Sequence, residues 1–249
     1  MTDHGFDLTG TRALVTGAST GIGAAIATRL AEAGATVVAV SRSGRAPHTD
    51  QVMGVAADLS NPDQLDGVID SVVDRLGGLD IVVNNAGFAE WRALAEIDRD
   101  FFDRFIDLNM WAPLRLCQLA HPHLAESDNA SVVMIGSIDA TRPSAGAISY
   151  GATKAAMAAA TVAMAKEWMV DGIRVNQIDP GLVDTPLAAD AVDAVRAEDA
   201  QINMVGRVGR PDEIAGLVHY LVAPVGQFAN GTSYRVDGGA LSLGPFDVR

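Results

Sequence analysis

The sequence predicts an α/β fold, a parallel sheet covered by helices on both faces. Three observations predict it. Short apolar runs alternate with longer helical patterns along the chain. Those runs are continuously apolar, as expected of strands buried on both faces. A glycine-rich turn joins the first run to the first helical pattern. With 25 Gly and only 5% aromatic residues, the composition suits close packing of helices on a sheet.

Taken in order, residues 12–16 form the first strand, 22–33 a helix stopped by Gly34, and 36–40 the second strand. The segment from Ser43 to Asp50 reads as a loop, so the crossover to a strand at 52–57 has no room for a helix. A helix over 61–76 begins with Pro62 at an N1-like position, where its missing N–H costs nothing. A strand at 80–84, a long helix at 99–126 containing Pro113, and a strand at 131–136 follow. Next come a helix at 148–170, a strand at 174–178, a helix at 211–223 and a last strand at 233–236. These are about seven strands in one doubly wound sheet, and the chain reads as a single domain over 1–249. The acidic, Ala-rich stretch at about 184–206, bounded by Pro180-Gly181 and Gly206, reads as a mobile helical segment over a cleft.

The 31 acidic and 18 basic side chains leave a formal charge of −13 without any basic block, which disfavours nucleic acid and anionic membrane as partners. A dinucleotide is not excluded, because backbone amides and one or two Arg create a local positive site. Cys117 is the only cysteine, so no intrachain disulfide can form; it reads as apolar packing. The segment Met1 to Leu8 lacks a basic then apolar leader pattern, and the small-residue run 155–165 falls short of the ~20 residues of a membrane span. A soluble, cytoplasmic protein is expected.

Gly17-Ala-Ser-Thr-Gly21-Ile-Gly23 follows the first strand and opens the first helix. Such a turn reverses tightly, exposes backbone N–H groups to a pyrophosphate and lets helix and strand approach closely. It points to a Rossmann-type dinucleotide fold. Tyr150 and Lys154 stand four residues apart, one turn along a helix face, with Ser137 thirteen residues upstream. A phenol of ordinary pKa about 10 must fall by roughly 3 units, about 4 kcal/mol, to ionise near pH 7. A cation about 4 Å away supplies that order of energy at an effective dielectric of about 20. Lys154 is therefore expected to lower the Tyr150 pKa for proton transfer at a carbonyl or alcohol. His121-Pro-His123 reads as a surface turn in which Pro122 ends the helix, so no metal site is expected there.

Thr16-Gly17-x-x-x-Gly21-x-Gly23 is the glycine pattern of the short-chain dehydrogenase/reductase family, which the chain resembles over residues 10 to 240. Asn84-Asn-Ala-Gly87, Asn109, Ser137, Tyr150-x-x-x-Lys154 and Pro180-Gly181 with Thr185 match that family's pattern in order and spacing. So do the stretch Gly206 to Glu213 and Val236-Asp-Gly-Gly239. The resemblance implies NAD(P)-linked hydride transfer between a carbonyl and a secondary alcohol. It implies that Gly17, Ser19, Thr20, Ile22 and Gly23 face the cofactor phosphates and ribose, and that Asp58 with Leu59 flanks the adenine. Asn85, Ala86 and Gly87 would line the cofactor cleft. Lys154 would hold the nicotinamide ribose beside Tyr150, and Pro180, Gly181, Val183 and Thr185 would touch the nicotinamide. Ser137 would donate to the substrate oxygen, Tyr150 would pass the proton, and Asn109 would hold a water linking Lys154 to solvent.

Cofactor choice turns on the end of the second strand. A carboxylate there would accept from the 2′-hydroxyl of NAD, whereas Ser41 can donate to a 2′-phosphate and Arg42 can pair with its charge. NADP(H) is favoured, with NAD(H) as the alternative. On the substrate side, position in the family pattern places Phe88, Glu90, Trp91, Asp139, Ala140, Leu182, Leu187 and Met204. A ketone, a secondary alcohol and a 3-oxoacyl thioester all remain open. Asp179 and Asp139 read as polar neighbours of the cleft. The alternatives are an NAD-dependent alcohol or dihydrodiol dehydrogenase of the same fold and a non-catalytic dinucleotide-binding protein. The resemblance also implies a homotetramer, or a homodimer, through helices 99–126 and 148–170.

Overall fold

The computed structural model describes residues 5–243; the ends of the expected 1–249 domain, and Met1 to His4 of the leader reading, lie outside them. Seven strands run parallel: β1 Arg12–Thr16, β2 Thr36–Ser41, β3 Val52–Ala56, β4 Ile81–Asn84, β5 Ser131–Ile135, β6 Arg174–Pro180 and β7 Ser233–Val236. Their order is β3-β2-β1-β4-β5-β6-β7. β1 to β3 step outward one way and β4 to β7 the other, so the topology reverses between β1 and β4, where crevices form at the carboxyl ends of strands. Register places Val15 of β1 between Ala39 of β2 and Val83 of β4.

Alternate residues of each strand supply two opposite cores, because successive Cβ atoms point to opposite faces. Ala13, Val15, Val37, Ala39, Ile81, Val83, Val133 and Ile178 enter one cluster with α1 (Gly21–Glu32) and α7 (Pro211–Val222). Leu14, Val38, Val40, Val82, Val132, Met134 and Val175 enter the other. That second cluster packs against α2 (Pro62–Leu76), α4 (Ala112–Leu124) and α5 (Ile148–Glu167). Cys117 is wholly buried there, and burial pushes its thiol up to about 12, as its packing role requires.

Helix ends carry local satisfaction. The Asn61 side chain accepts from the Asp63 N–H at the start of α2, and Gly77 closes it in the left-handed region at φ 73°. Asp98 caps α3 (Arg99–Phe105) by accepting from the Phe101 N–H at 2.7 Å. The short β2–β3 connection contains no helix, as the sequence requires, and α6 (Ala189–Glu198) lies in the segment read as helical.

Strand and helix ends shift by one or two residues, β6 running on to Pro180, and three helical readings are corrected. The expected helix 99–126 is α3, a π-helical stretch Ile106–Trp111, and α4. Pro122 lies inside α4, which runs on to Leu124, so the His121 and His123 pair is helical and not a turn. A proline two residues from a helix end removes one hydrogen bond and leaves the remaining turn intact. His121 pairs with Asp171 at 3.0 Å and packs on the Trp168 ring. Finally, α5 tightens to a 3₁₀ turn over Trp168–Asp171, ended by Gly172 at φ 72°.

Candidate active site

The turn after β1 places backbone donors at the crevice. Gly17 and Gly21 adopt φ 65° and 58°, which side chains rarely tolerate. A Cβ at Gly23 would collide with the Gly17 carbonyl and the Asn85 Nδ2. Gly23→Ala is therefore expected to cost about 1–3 kcal/mol of stability by overpacking, read as a lower Tm; an unchanged melt would show that the turn yields. Thr20 stands at the N-cap of α1 without a side-chain cap bond, and no acidic residue sits in the first turn. The first amides of α1 are thus without a side-chain acceptor at a positive helix end, an arrangement that fits a pyrophosphate.

Thr16, which sequence reasoning used only as a motif letter, ties this turn to the one after β4. Its Oγ1 accepts the Asn85 and Ala86 N–H groups, each at 3.0 Å. Asn85 Nδ2 in turn donates to the Thr16 and Gly17 carbonyls at 2.9 and 3.2 Å. A hydroxyl that ends a buried strand was the available signal.

The crevice holds a cavity of about 690 Å³. Ser137, Tyr150 and Lys154 line it together, with Ile22, Asn85, Gly87, Pro180, Gly181, Val183 and Thr185 of the predicted cofactor set. Gly17, Ser19, Thr20 and Gly23 lie in the turn beside it, and Ser41, Arg42 and Asp58 at the β2 and β3 ends. The Leu59 side chain is buried in the core, so only its backbone can flank a ligand. Arg42 is exposed and its charge helps lower the Asp58 pKa, behind the Ser60 hydrogen bonds that dominate. The Ser41 hydroxyl donates to the Arg45 carbonyl at 3.2 Å, a departure from its expected availability.

The Ser137 hydroxyl accepts the Asp139 N–H at 3.1 Å and donates to Asp139 Oδ2 at 3.4 Å, and Lys154 Nζ donates to the Ile135 carbonyl at 2.8 Å. Asn109, in the π-helical stretch, is buried; its Nδ2 donates to the Phe88 carbonyl at 2.9 Å and its Oδ1 accepts the Phe88 N–H at 3.0 Å. Asn109 Oδ1 and Lys154 Nζ both border the space above Gly87. The four side chains thus converge.

The expected depression of the Tyr150 pKa is not found. Burial pushes the phenol up to about 12, the neighbouring Ser137 hydroxyl opposes this, and Asp139 and Asp179 add to the rise. The ammonium lies 5.6 Å from the Tyr150 ring centroid and is engaged by Ile135, so desolvation outweighs it. Burial also brings Lys154 down to about 8, with Asp179 working against that fall. At neutral pH this arrangement presents a protonated phenol, a hydroxyl beside it and a cation behind, which suits delivery of a proton to a developing alkoxide.

On the open side, Glu90, Trp91, Asp139, Leu182 and Leu187 line the cavity. The Trp91 ring stands 6.2 Å from that of Tyr150. Glu90 pairs with Arg92 at 2.9 Å and Arg104 at 3.4 Å, so its charge is compensated rather than free for a ligand. Phe88 packs on Phe105 instead of facing the cavity, and Ala140 does not line it. Met204 is also absent from the lining, because its side chain lies against Gly239 and its N–H donates to the Gly238 carbonyl. Among the described residues no cluster of three or more His, Cys, Asp or Glu could hold a metal.

The family model described as enoyl-(acyl carrier protein) reductase matches residues 17–240. The chain is 34% identical over 239 residues to 3-oxoacyl-(acyl-carrier-protein) reductase FabG of Vibrio cholerae, covering 94% of this chain and 98% of that protein. Its structure is similar to that of Thermoplasma acidophilum aldohexose dehydrogenase in ligand-free form, with a TM-score of 0.90, 28% identity and coverage of 97% and 98% of the two chains. It is similar also to a short-chain dehydrogenase from Burkholderia cenocepacia in complex with NADP, with a TM-score of 0.83, 36% identity and coverage of 94% and 99%.

Proposed function

The chain belongs to the short-chain dehydrogenase/reductase family, oxidoreductases acting on CH–OH and C=O groups with NAD(P), and we propose that it is an NADP(H)-dependent enzyme interconverting a ketone and a secondary alcohol. One observation carries the reading: Ser137, Tyr150 and Lys154 stand together in the lining of one cavity, reached by the uncapped N-terminus of α1. A nicotinamide dinucleotide, when bound, supplies or accepts the hydride.

The chain's own residues do the rest. Gly17, Ser19, Thr20, Ile22 and Gly23 hold the phosphates with Asn85, Ala86 and Gly87, and Asp58 and the Leu59 backbone flank the adenosine. Lys154, Pro180, Gly181, Val183 and Thr185 hold the nicotinamide half. Ser137 donates a hydrogen bond to the substrate oxygen and Tyr150 gives or takes its proton. Lys154 supplies a fixed positive charge, and Asn109, whose amide borders the same space above Gly87, serves the proton exit. Leu187, Ala188 and Asp190 bring the 184–206 segment to the cavity, and its closing over substrate is part of the same proposal. Exposed Trp111 at the end of the π-helical stretch, and exposed Ile148 and Val162 on α5, support a homotetramer or homodimer through the helices at 99–126 and 148–170. Among the described residues no helix is long and apolar enough to cross a membrane.

A panel of ketones and secondary alcohols, followed by nicotinamide absorbance, tests the reaction class; no turnover with any of them would remove it. Phosphate preference rests on Arg42, exposed at the end of β2, and is supported by the Burkholderia neighbour bound to NADP. The engagement of Ser41 with Arg45 favours a second reading in which NAD(H) is used. Arg42→Ala decides between them. Loss of one charge-assisted contact of about 1.5–3 kcal/mol should weaken NADPH binding roughly 10- to 100-fold and leave NADH binding unchanged. Equal effects on both cofactors would favour NAD(H).

A further inference from the structure

We propose that Asp179 is a positioning residue of the proton-transfer site, holding the Ser137 backbone at the cleft and placing a carboxylate near Lys154. The inference rests on the proposed function. Asp179 is the penultimate residue of β6 and is buried. Its Oδ1 accepts the Ser137 N–H at 3.2 Å and the Gln177 Nε2 at 2.7 Å, so one carboxylate oxygen joins β6 to the turn that carries Ser137. Gly136 is part of this arrangement, because a Cβ there would collide with that same oxygen. Ser137 therefore takes its place partly because residue 136 has no side chain and residue 179 has an acceptor.

Charge is the second half of the role. Lys154 faces Asp179 from α5, Tyr150 on the same helix feels Asp179 together with Asp139 of the turn after β5, and Arg235 stands opposite Asp179 in register on β7; burial pushes the Asp179 carboxyl up, and its bonds from Gln177 and Ser137 and the Lys154 charge oppose that rise. Arg235 approaches Asp237 at 3.5 Å and donates to the Ser242 hydroxyl at 3.1 Å, so it is engaged away from Asp179. Of the ionisable groups around Lys154, Asp179 is the one whose charge supports the ammonium against burial. Tyr150 feels the same charge in the sense that keeps its proton on.

Two variants separate the halves. Asp179→Asn keeps an oxygen for the Ser137 N–H and removes the charge; Asp179→Ala removes both. Ketone reduction should show an alkaline limb set by Lys154. In Asp179→Asn that limb should move to lower pH by about one unit, with kcat at the optimum within about threefold of the parent. In Asp179→Ala kcat should fall roughly 10- to 100-fold while the cofactor Kd, from fluorescence titration, stays within about threefold. An unmoved limb in Asp179→Asn overturns the electrostatic role, and an unaltered kcat in Asp179→Ala overturns the geometric one. A lowered Tm with limb and kcat in place leaves Asp179 as packing only and overturns both. Should Asp179→Ala not fold, the limb in Asp179→Asn decides. If Tyr150→Phe keeps turnover within tenfold of the parent, the underlying reading fails; if that variant loses turnover as expected and only the Asp179 variants behave as the parent, this inference alone fails.

Discussion

Tyr150→Phe is expected to lower turnover by roughly 10³-fold in both directions while leaving NADPH affinity within about threefold, the magnitude of a removed general acid. The substitution deletes one hydroxyl and keeps the ring, so the Trp91 contact and the packing of α5 persist. Burial holds the phenol near 12, so the parent enzyme carries its proton throughout the neutral range, and the reductive direction needs no prior ionisation. Ser137 remains in the variant and can still hold the substrate oxygen, which is why loss and not abolition of catalysis is expected. Steady-state kcat on a reducible ketone, beside a cofactor fluorescence titration, checks it; turnover within tenfold of the parent would remove Tyr150 from the mechanism.

Lys154→Met is expected to cost roughly 10² to 10³ in kcat/KM, because a preorganised charge in a water-poor site acts without reorganisation. It should also erase a pH feature. Burial brings the Lys154 ammonium down to about 8, so it is charged below that pH and neutral above it. The parent rate of reduction should therefore fall as pH rises through about 8, and the variant should show a low rate with no such limb. A limb that survives in Lys154→Met would assign it to another group.

Stability should move the other way. The folded-state pKa lies below the ordinary 10.5, so between about 8 and 10.5 the unfolded chain binds more protons than the folded one. Parent stability should then rise with pH across that window, and at neutral pH Lys154→Met should melt no lower than the parent. A buried cation is retained here at a cost to the fold.

Much of the site was legible because its signals are local. The glycine turn, the Tyr150 and Lys154 spacing and the strand-helix alternation each lie within one element or one connection, where backbone sterics and side-chain period act directly. The π-helical stretch around Asn109 was not legible. Its residues carry an ordinary helical pattern, and the extra residue in the turn goes with the bonds that the Asn109 amide makes to Phe88, 21 positions away. The compensation of Glu90 by Arg92 and Arg104, the turning of Met204 to Gly239, and the burial of Leu59 likewise follow from contacts between elements.

By itself the sequence determined the class of fold, the order of elements, the glycine turn after β1 and the spacing that sets Tyr150 and Lys154 on one helix, since residue types and short spacings specify these. The tertiary structure alone decided the protonation of Tyr150, the direction of the Lys154 ammonium and the attachment of Ser137 to Asp179, 42 residues apart. Burial and long-range hydrogen bonds set those quantities, and both exist only once the sheet has brought the strand ends together.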